Sequence, residues 1–452
     1  MSISFKSLFR EKFGESHFLI LGSEGLTGLS AANFLEQMEV AFSVSDIKPE
    51  NELLGKSDRY KNIRNVYHSG HELSQLEGIT DIIVSPGVPP RIDILQAARE
   101  QGISIWSDIA LASEFIDGSK LVAVTGTDGK TTTSTLIHHI LSGFMNCVLA
   151  GNMGIPILEV LEDILRADKV VLELSAFQLE IPGKLKPAIS YITNIAQDHV
   201  ERYENIEEYR ETKFAIIKNC TWTDIFIRNT DDLFISDFDP GNLTIRDISA
   251  PGERFNSIAN LFICGDFALP LRNCKLRGMH NVRNICAALE IACVFQLDGE
   301  KVLELISTFK NMPHRFENVG VFDGVTVIDD SKATTVSAVA AALEALETSA
   351  VLIMGGMPSG RDYTPLNDYI HKIKWLITYG DEGQRILSYF KDVPGIYEKN
   401  FPDAVKQAVH KVRKGETLLL SPANWDKLRT YVERGRIFVE TAKDCLKLRL
   451  IK

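Results

Sequence analysis

The sequence predicts an α/β fold made of three successive α/β units. Short apolar runs alternate with amphipathic stretches from residue 18 onward, and this alternation is typical of strand–helix–strand units that form parallel sheets. The same rhythm starts again at the apolar run 121–126 and once more after residue 319. A chain of 452 residues also has room for about three domains of ordinary size.

The elements follow in chain order. In the first unit we expect strands at 18–21, 42–46, 81–85 and 103–108 and helices at 26–38 and 92–99. In the second unit we expect strands at 121–126, 170–175 and 191–195, a helix at 131–141, irregular strands or loops at 229–270 and a helix at 281–295. In the third unit we expect helices at 337–346 and 402–413 and strands at 351–356, 375–380 and 417–423.

A hairpin at 319–330 is the clearest local signal in the chain. Two β-rich runs are joined there by Asp323 and Gly324. This pair tolerates the positive φ values of a type I′ turn. We therefore expect two antiparallel strands at the start of the third unit.

Composition excludes several classes of protein. Apolar residues make up 45% and charged residues 24% of the chain, which is ordinary for a globular protein and excludes wholesale disorder. The formal net charge of −11 disfavours a nucleic-acid binder. No targeting segment and no apolar run of membrane-spanning length is visible, so we expect a cytoplasmic protein without a membrane partner. The seven scattered cysteines contain no C-x-x-C pair and predict buried, reduced thiols.

A phosphate-binding loop is predicted where the strand 121–126 meets a helix. The segment reads as a shortened G-x-x-G-K-T pattern, because residue 124 is Val where a full Walker motif has Gly. Glycines let backbone N–H groups approach phosphate oxygens, the helix N-terminus adds a positive dipole, and a lysine supplies a charge. The candidate residues are Gly126, Thr127, Asp128, Gly129, Lys130, Thr131 and Thr132.

An earlier glycine cluster at 22–28 also joins a strand to a helix. It is similar to a dinucleotide-binding fingerprint but departs from G-x-G-x-x-G at Ser23 and Glu24. Asp46 closes the next strand, 18 residues after Gly28. This spacing suits a nucleotide ribose and phosphate without saying which nucleotide, and a purely structural glycine turn is the alternative.

Three further polar positions could serve a magnesium site. Glu173 follows a β-rich run, His199 stands in an Asp-His pair, and Lys213 lies in a charged helical stretch. Oxygen ligands at the carboxyl end of a strand would suit Mg²⁺. Taken one at a time, each also reads as an ordinary structural residue. Only their arrangement around the phosphate loop would make them a site.

Taken together, these residues resemble the ATP-dependent Mur ligases of peptidoglycan synthesis, and most of all the branch that adds D-glutamate to UDP-N-acetylmuramoyl-L-alanine. The resemblance covers essentially the whole chain. The motifs that carry it, in order, are GSEGLTGLS (22–30), SPG (85–87), TGTDGKTT (125–132), GNMG (151–154), LELSAFQLE (172–180), QDHVERY (197–203), YRETK (209–213), HNVRN (280–284), PHRFE (313–317), DDSKATT (329–335) and SPA (421–423).

The resemblance implies three domains with separate tasks. It predicts a Rossmann-like domain at 1–107 for the UDP-sugar, a central ATPase domain with a mostly parallel sheet at 108–311, and a Rossmann-like domain at 312–452 for the amino acid and for closure. The implied contacts to the UDP-linked substrate are Leu26, Thr27, Asp46, Ser85, Gly87 and Asn152.

The resemblance also implies ATP and two Mg²⁺ ions in the central domain. The lysine matching Lys213 is carbamylated in this family, which turns a cation into an anionic oxygen ligand. The implied metal ligands are Thr131, Glu173, His199 and Lys213. Further ATP contacts are Asn281, Asn284, Arg315 and Asp330, and the implied catalytic residues are Lys130, His199, Lys213 and Lys332.

The amino-acid pocket is where this chain departs from the D-glutamate branch. Ser359 stands where that branch has a lysine, and SPANWDKL at 421–428 lacks the serine of the family's SPACAS-type motif. Our hypothesis is that Arg361 restores the lost cation, since guanidinium binds carboxylate in a bidentate fork. A surface role for Arg361 is the alternative. The predicted pocket residues are Ser331, Thr334, Arg361 and Tyr431.

Other functions remain open at this point. A related Mur-type or folylpolyglutamate-type ligase could add a different amino acid, such as L-glutamate. An oxidoreductase using the cluster at 22–28 would leave Lys130 and the third unit unexplained. A non-enzymatic phosphate-loop module would not couple ATP turnover to an amino acid. We expect a monomer that uses small-molecule substrates.

Overall fold

The computed structural model describes residues 4–53, 59–198, 202–239, 241–276, 278–310, 312–427 and 429–449. Within these ranges three mostly parallel sheets and one small antiparallel sheet are formed. The predicted α/β fold class is therefore confirmed. The chain separates into two compact units, Met1–Arg254 with Ala287–Leu305 and Phe255–Cys286 with Ile306–Lys452. The predicted domain boundaries after residues 107 and 311 stay predictions.

The first sheet has the strand order β3-β2-β1-β4-β5 and is parallel throughout. Its elements are α1 (Phe5–Phe13), β1 (His17–Leu21), α2 (Leu26–Met38), β2 (Ala41–Ser45), β3 (Ile63–Tyr67), β4 (Asp81–Val84), α3 (Asp93–Glu100), β5 (Ser104–Trp106) and α4 (Asp108–Ala112). The strand order reverses between β1 and β4. In open parallel sheets, ligands bind at the carboxyl ends of the strands beside such a reversal.

The second sheet has the order β11-β10-β9-β6-β8-β7 and is also parallel. Its elements are β6 (Leu121–Thr125), α5 (Lys130–Ser142), β7 (Cys147–Gly151), α6 (Leu161–Arg166), β8 (Lys169–Glu173), α7 (Ala176–Leu179), β9 (Ile189–Ile192), α8 (Ile206–Phe214), β10 (Ile225–Asn229), α9 (Leu233–Ser236) and β11 (Thr244–Ile248). Every residue of β6 is buried. Its continuous apolar run reflects cover on both faces, as is usual in parallel sheets.

A small antiparallel sheet follows in the stretch where strands or loops were predicted. Its strands are β12 (Phe255–Asn256), β13 (Leu261–Cys264) and β14 (Phe267–Pro270), and the helices α10 (Met279–Val294) and α11 (Gly299–Thr308) come next. The strands and the first half of α10 group with the second compact unit.

The third sheet has the order β15-β16-β20-β17-β18-β19. Its elements are β15 (Glu317–Phe322), β16 (Val325–Asp329), α12 (Val336–Ala345), β17 (Ala350–Gly355), β18 (Ile373–Tyr379), α13 (Gly383–Tyr389), β19 (Gly395–Glu398), α14 (Phe401–Lys411), β20 (Thr417–Ala423) and α15 (Tyr431–Arg449). β15 and β16 form the predicted hairpin, and Asp323 and Gly324 have φ values of 48° and 72°. Positive φ at both positions is what a type I′ turn requires.

One apolar core runs from the first sheet into the second. At the point where the two sheets meet, Ser107 Oγ donates to Ile181 O at 2.7 Å. The buried carboxylate of Asp108 accepts from Gln178 Nε2 at 3.2 Å, and burial raises the pKa of Asp108 to about 6. Polar groups that lose water need such partners. These bonds therefore join the two sheets without leaving buried polar groups unpaired.

All seven cysteines are thiols, as predicted. The prediction of burial is right for three of them and wrong for four, because Cys147, Cys220, Cys293 and Cys445 are half-buried. Burial nevertheless raises the pKa of the Cys147 and Cys220 thiols to about 12. Among the described residues, no helix has both the length and the apolar character that a membrane span needs.

Candidate active site

The phosphate loop connects the end of β6 to the start of α5. Gly126 has a φ of 141° and Gly129 a φ of 79°, conformations that favour glycine. A Cβ at Gly126 would lie 1.9 Å from Thr193 Oγ1, so a larger residue would displace the neighbouring chain. Asp128 N donates to Asn194 Oδ1, and Asn194 Nδ2 donates to Asp128 O, both at 3.0 Å. The segment after β9 thus holds the loop in place at the N-terminus of α5.

Two lysines meet at one carbonyl of this loop. Lys130 Nζ donates to Gly126 O and to Thr127 O, both at 2.9 Å. Lys213, 87 residues further along the chain than Gly126, donates to the same Gly126 O at 2.7 Å. The Lys213 side chain is buried with its Nζ 4.3 Å from the centre of the Tyr209 ring. Burial, and next the charge of Lys130, hold the pKa of Lys213 well below its usual range.

Oxygen-bearing side chains gather beside the lysines, at the carboxyl end of β8. Glu173 is 1% exposed. Its Oε1 accepts from Asn152 Nδ2 at 2.9 Å, and its Oε2 accepts from Ser134 Oγ at 3.2 Å. Thr131 is also buried, and its carbonyl accepts from Ser134 Oγ at 3.2 Å. A buried carboxylate beside hydroxyl and amide groups is a donor set that fits Mg²⁺. The structure therefore brings Thr131, Glu173 and Asn152 together.

His199 lies outside the described residues. Asp198, which precedes it, is described, and its negative charge partly offsets the burial that lowers the pKa of Lys213. Asp198 therefore lies close enough to Lys213 to interact with it electrostatically.

A second group of predicted residues lies at the carboxyl edge of the first sheet. Asp46 accepts from the Glu24 backbone N–H at 2.9 Å, which fixes its carboxylate at the glycine cluster. Ser85 Oγ donates to Gly22 O at 2.8 Å. A Cβ at Gly28 would lie 2.4 Å from Gly22 O, so this glycine serves close packing of α2 against the loop. The other predicted residues at this edge are Leu26, which is 79% exposed, Thr27 and Gly87.

Asn281 and Asn284 lie on the first half of α10, in the second compact unit. Both are buried, and Asn284 Nδ2 donates to Asn281 Oδ1 at 3.2 Å. The prediction that they contact adenine is not tested by these contacts.

The loop after β16 carries most of the remaining predicted residues. Asp330 accepts from the Phe316 N–H and from Ser421 Oγ, both at 2.9 Å, and burial raises its pKa to about 7. Ser331 Oγ donates to Tyr431 O at 2.9 Å. Lys332 Nζ lies 4.3 Å from the centre of the Tyr431 ring. The structure thus brings Ser331, Lys332 and Tyr431 together. Arg315 and Thr334 are half-buried on the flanking segments.

A histidine and two carboxylates beside this loop offer ligand atoms within 4.8 Å of one another: His314, Glu317 and Asp329. Their polar atoms already bond within the cluster. His314 Nδ1 lies 2.7 Å from Asp329 Oδ2. The backbone N–H of His314 donates to Glu317 Oε2 at 2.8 Å. These bonds account for the cluster as a structural feature of the loop.

Ser359 is hydrogen-bonded to a residue of the segment 421–428, the second place where the chain departs from the family pattern. Ser359 Oγ donates to Asn424 Oδ1. Asn424 Nδ2 donates to the Tyr363 hydroxyl at 3.2 Å. Arg361 is half-buried, and its carbonyl accepts from Arg385 NH2 at 2.7 Å. Arg361 is therefore held within this loop by its main chain.

Several residues that shape the site escaped the sequence reasoning. Thr193 and Asn194 hold the phosphate loop, yet they stand in a run that predicted only a strand. Ser134 lies one helical turn after Lys130, and that spacing could have indicated it. Arg434 is buried in α15 and donates to Ser331 O at 2.6 Å and to Asn424 O at 2.9 Å. Nothing in the spacing of the sequence indicates this link.

Three family models match the chain in order. They are the Mur ligase MurD-like N-terminal domain at residues 16–107, the Mur ligase middle domain at residues 124–292 and the Mur ligase glutamate ligase domain at residues 314–424.

Proteins named UDP-N-acetylmuramoylalanine--D-glutamate ligase are similar over nearly the whole chain. The one from Exiguobacterium sibiricum is 32% identical over 433 residues, covering 94% of this chain and 96% of that protein. The one from Clostridioides difficile is 30% identical over 436 residues, covering 92% of this chain and 96% of that protein.

Solved structures share the fold at lower identity. The MurF ligase from Thermotoga maritima in complex with ADP aligns with a TM-score of 0.62 at 16% identity, covering 96% of this chain and 99% of that one. The UDP-N-acetylmuramate-alanine ligase MurC from the same organism aligns with a TM-score of 0.59 at 20% identity, covering 96% and 100%.

Proposed function

Because this chain belongs to the Mur ligase family, we propose that it is an ATP-dependent amide ligase that adds D-glutamate to UDP-N-acetylmuramoyl-L-alanine in peptidoglycan precursor synthesis. The relatives that match over more than nine-tenths of the chain carry this activity in their names. The observation that carries the proposal is the phosphate loop, where Lys130 and Lys213 meet at Gly126 O beside the buried carboxylate of Glu173. A cytoplasmic location and a monomeric state stay predictions.

The phosphate loop supplies the binding site for the ATP phosphates. Backbone N–H groups at the N-terminus of α5 point toward the position of an anion, and the helix dipole favours negative charge there. Lys130 adds a full positive charge at the same end. We assign the ATP phosphates to residues 126–132. The roles implied for Asn281, Asn284, Arg315 and Asp330 stay predictions.

The donor set beside the loop fits Mg²⁺. Thr131 and Glu173 would hold the ion, with a carbamate on Lys213 and with His199, which lies outside the described residues. Bound Mg²⁺ neutralises charge on the phosphoryl oxygens. Burial lowers the pKa of Lys213, which favours the neutral amine that adds to CO₂ and makes Lys213 chemically suited to carbamylation. Asn152 donates to one oxygen of Glu173 and Ser134 donates to the other, and together they orient its carboxylate.

The chemistry divides into two displacements. The terminal carboxylate of the UDP-linked alanine attacks the γ-phosphorus, ADP leaves, and an acyl phosphate is formed. Lys130 stabilises the negative charge that spreads over the transferred phosphoryl oxygens. The amine of D-glutamate then attacks the acyl carbonyl, and phosphate leaves as the amide forms. Water would hydrolyse the acyl phosphate, so the site must exclude it during both steps.

A phosphate-release assay tests the proposal. The purified protein would be given ATP, Mg²⁺ and UDP-N-acetylmuramoyl-L-alanine, with D-Glu, L-Glu, D-Asp or D-Lys in separate reactions. We expect release that depends on D-Glu. Release with none of the four amino acids would contradict a ligase, and release with L-Glu alone would reassign the amino acid. Release without any amino acid would favour a phosphate-loop ATPase module.

Arg361 is the residue that we propose for the side-chain carboxylate of glutamate. In this chain Ser359 stands where the D-glutamate branch has a lysine. Ser359 is hydrogen-bonded to Asn424. Arg361 lies two residues further along, with its main chain fixed by Arg385. A guanidinium can replace an ammonium as the partner of a carboxylate. Ser331, Thr334 and Tyr431 complete the proposed pocket, and Lys332 is proposed for the reaction centre.

Arg361→Ala is expected to raise the KM for D-glutamate by about tenfold to a hundredfold, since a hydrogen bond to a charged group contributes about 1.5–3 kcal/mol. The KM for ATP should stay within about twofold of the parent value. Steady-state kinetics with each substrate varied in turn would measure both. Arg436→Ala, at an exposed position of α15, is the matched control. An unchanged KM for glutamate in Arg361→Ala would return Arg361 to a structural role.

A further inference from the structure

Arg202 joins the first and second sheets through a buried set of hydrogen bonds. Its guanidinium donates to Pro86 O at 2.8 Å from NH1 and to Val88 O at 3.0 Å from NH2. On its other side, Nε donates to Glu180 Oε1 at 2.8 Å and NH2 donates to Glu180 Oε2. Both charged side chains are 11% exposed, and the guanidinium lies 4.1 Å from the centre of the Phe177 ring. Four of the five N–H donors of the Arg202 guanidinium are therefore used.

The two carbonyls that Arg202 holds belong to the turn after β4, which carries part of the proposed UDP-substrate site. Val88 N donates to Ser85 O at 2.9 Å and closes the turn. Ser85 Oγ donates to Gly22 O and ties the turn to the glycine cluster. A Cβ at Gly22 would lie 2.8 Å from Val88 Cγ2, so the two loops are in close contact. Arg202 thus binds the carbonyls of the turn at 85–88, and Ser85 of the same turn is bonded to the glycine cluster.

The opposite partner of Arg202 lies on the segment that follows the proposed metal ligand Glu173. Glu180 follows α7, seven residues after Glu173. The N-terminus of α7 is fixed by a capping box between Ser175 and Gln178. Tyr203 OH donates to Glu180 Oε1 at 2.9 Å and gives the carboxylate a further partner. Arg202 itself comes four residues after Asp198, whose negative charge acts on Lys213.

We propose that Arg202 is a positioning residue through which binding of the UDP-linked substrate and binding of the magnesium nucleotide strengthen each other. This inference rests on the proposed function, because it assigns substrates to the two sites. The bidentate guanidinium keeps the turn at 85–88 in one position relative to Glu180, so ordering either loop orders the other. By linkage, each ligand then raises the affinity for the other by the same factor.

A second arginine, Arg91, also links the segment after β4 to the segment that carries Arg202, without the same burial. Arg91 NH1 lies 2.9 Å from Glu204 Oε1, and its NH2 lies 2.5 Å from Glu208 Oε1. The Arg91 side chain is 66% exposed, and exposed ion pairs contribute little to stability because water and salt screen them. Arg91 carries the same charge between the same pair of segments. It therefore serves as the matched control for Arg202.

The test is calorimetric titration of UDP-N-acetylmuramoyl-L-alanine into the full chain, with and without Mg²⁺ and a non-hydrolysable ATP analogue. In the parent we expect the nucleotide to raise affinity for the UDP substrate by about fivefold or more. In Arg202→Ala we expect the affinity to fall about tenfold or more and the enhancement by nucleotide to fall to about onefold, because Pro86 O and Val88 O lose their bonds to the guanidinium and Glu180 loses its charged partner. Arg91→Ala should keep both values within about twofold of the parent.

Restoration separates a positioning role from a general loss of structure. Millimolar guanidinium ion should restore part of the enhancement in Arg202→Ala and leave Arg91→Ala unchanged. Arg202→Lys keeps the charge but not the fork, so its enhancement should lie between those of the parent and the alanine variant. If Arg202→Ala does not fold by circular dichroism, Arg202→Lys decides the question. The inference would be overturned if the nucleotide raised the affinity for the UDP substrate as much in Arg202→Lys as in the parent. It would also be overturned if the nucleotide did not raise this affinity in the parent. A parent that binds no UDP substrate would overturn the proposed function as well.

Discussion

Lys130→Ala is expected to lower kcat by about a hundredfold to a thousandfold or more, the loss seen when one preorganised group that stabilises transition-state charge is removed. Lys130 stands at the N-terminus of α5 with its Nζ at the phosphate loop, within 2.9 Å of two loop carbonyls. No other lysine of the loop can replace this charge, since residues 126–132 contain one lysine. Phosphate release in the presence of D-glutamate measures the loss.

The fold of that variant must be checked separately. Lys130→Ala also removes the bonds to Gly126 O and Thr127 O, so thermal unfolding should be compared with that of the parent. Lys218→Ala, at an exposed position after α8, is the control and should keep full activity. Lys130→Ala with parental kcat would place the ATP phosphates away from this loop.

Lys213→Ala should lose activity to a similar extent, and short-chain carboxylates such as acetate or formate should restore part of it. The physical reason is that a carbamate on Lys213 would supply anionic oxygens to Mg²⁺, and a small carboxylate can supply the same atoms in the space that the side chain leaves. The lysine is fully buried and its pKa is held well below the usual range. Activity should therefore be measured over a series of acetate concentrations.

The controls for this experiment come from the same site. Acetate should not restore Lys130→Ala, because that variant lacks a cation and not an oxygen ligand. Lys218→Ala should be indifferent to acetate. Full activity of Lys213→Ala without additives would exclude a carbamate ligand, and a permanent loss that no carboxylate relieves would assign Lys213 to holding the Gly126 carbonyl.

Most strands in the middle of the sheets could be predicted from the sequence, with β10 as an exception, whereas most edge strands could not. β6, β17 and β20 are buried throughout and appear as continuous apolar runs. β3 and β19 lie at sheet edges and have half-exposed residues. Their sequences therefore lack the continuous apolar runs of buried strands. The helix α1 was not predicted, although Phe5, Phe9 and Phe13 recur every fourth residue and mark one face of a helix.

The candidate site was predictable where it is local in sequence and unpredictable where it depends on distant contacts. The phosphate loop needs only a strand, glycines, a lysine and a helix within about ten residues. The meeting of Lys213 with Gly126 depends on how α8 lies against β6, which no spacing encodes. The bond between Ser359 and Asn424 likewise joins two loops 65 residues apart. The family resemblance indicated Lys213 as a site residue, but it did not indicate the bond between Ser359 and Asn424.

The protonated thiols of Cys147 and Cys220 bear on how the protein can be labelled. Maleimides and disulfide reagents react with the thiolate, and a pKa of about 12 leaves almost none of it at neutral pH. Three further cysteines are buried and shielded from reagents. A fluorescent probe attached to one introduced, exposed cysteine would therefore compete with few native thiols, and fluorescence could follow ligand binding with these five native cysteines left in place.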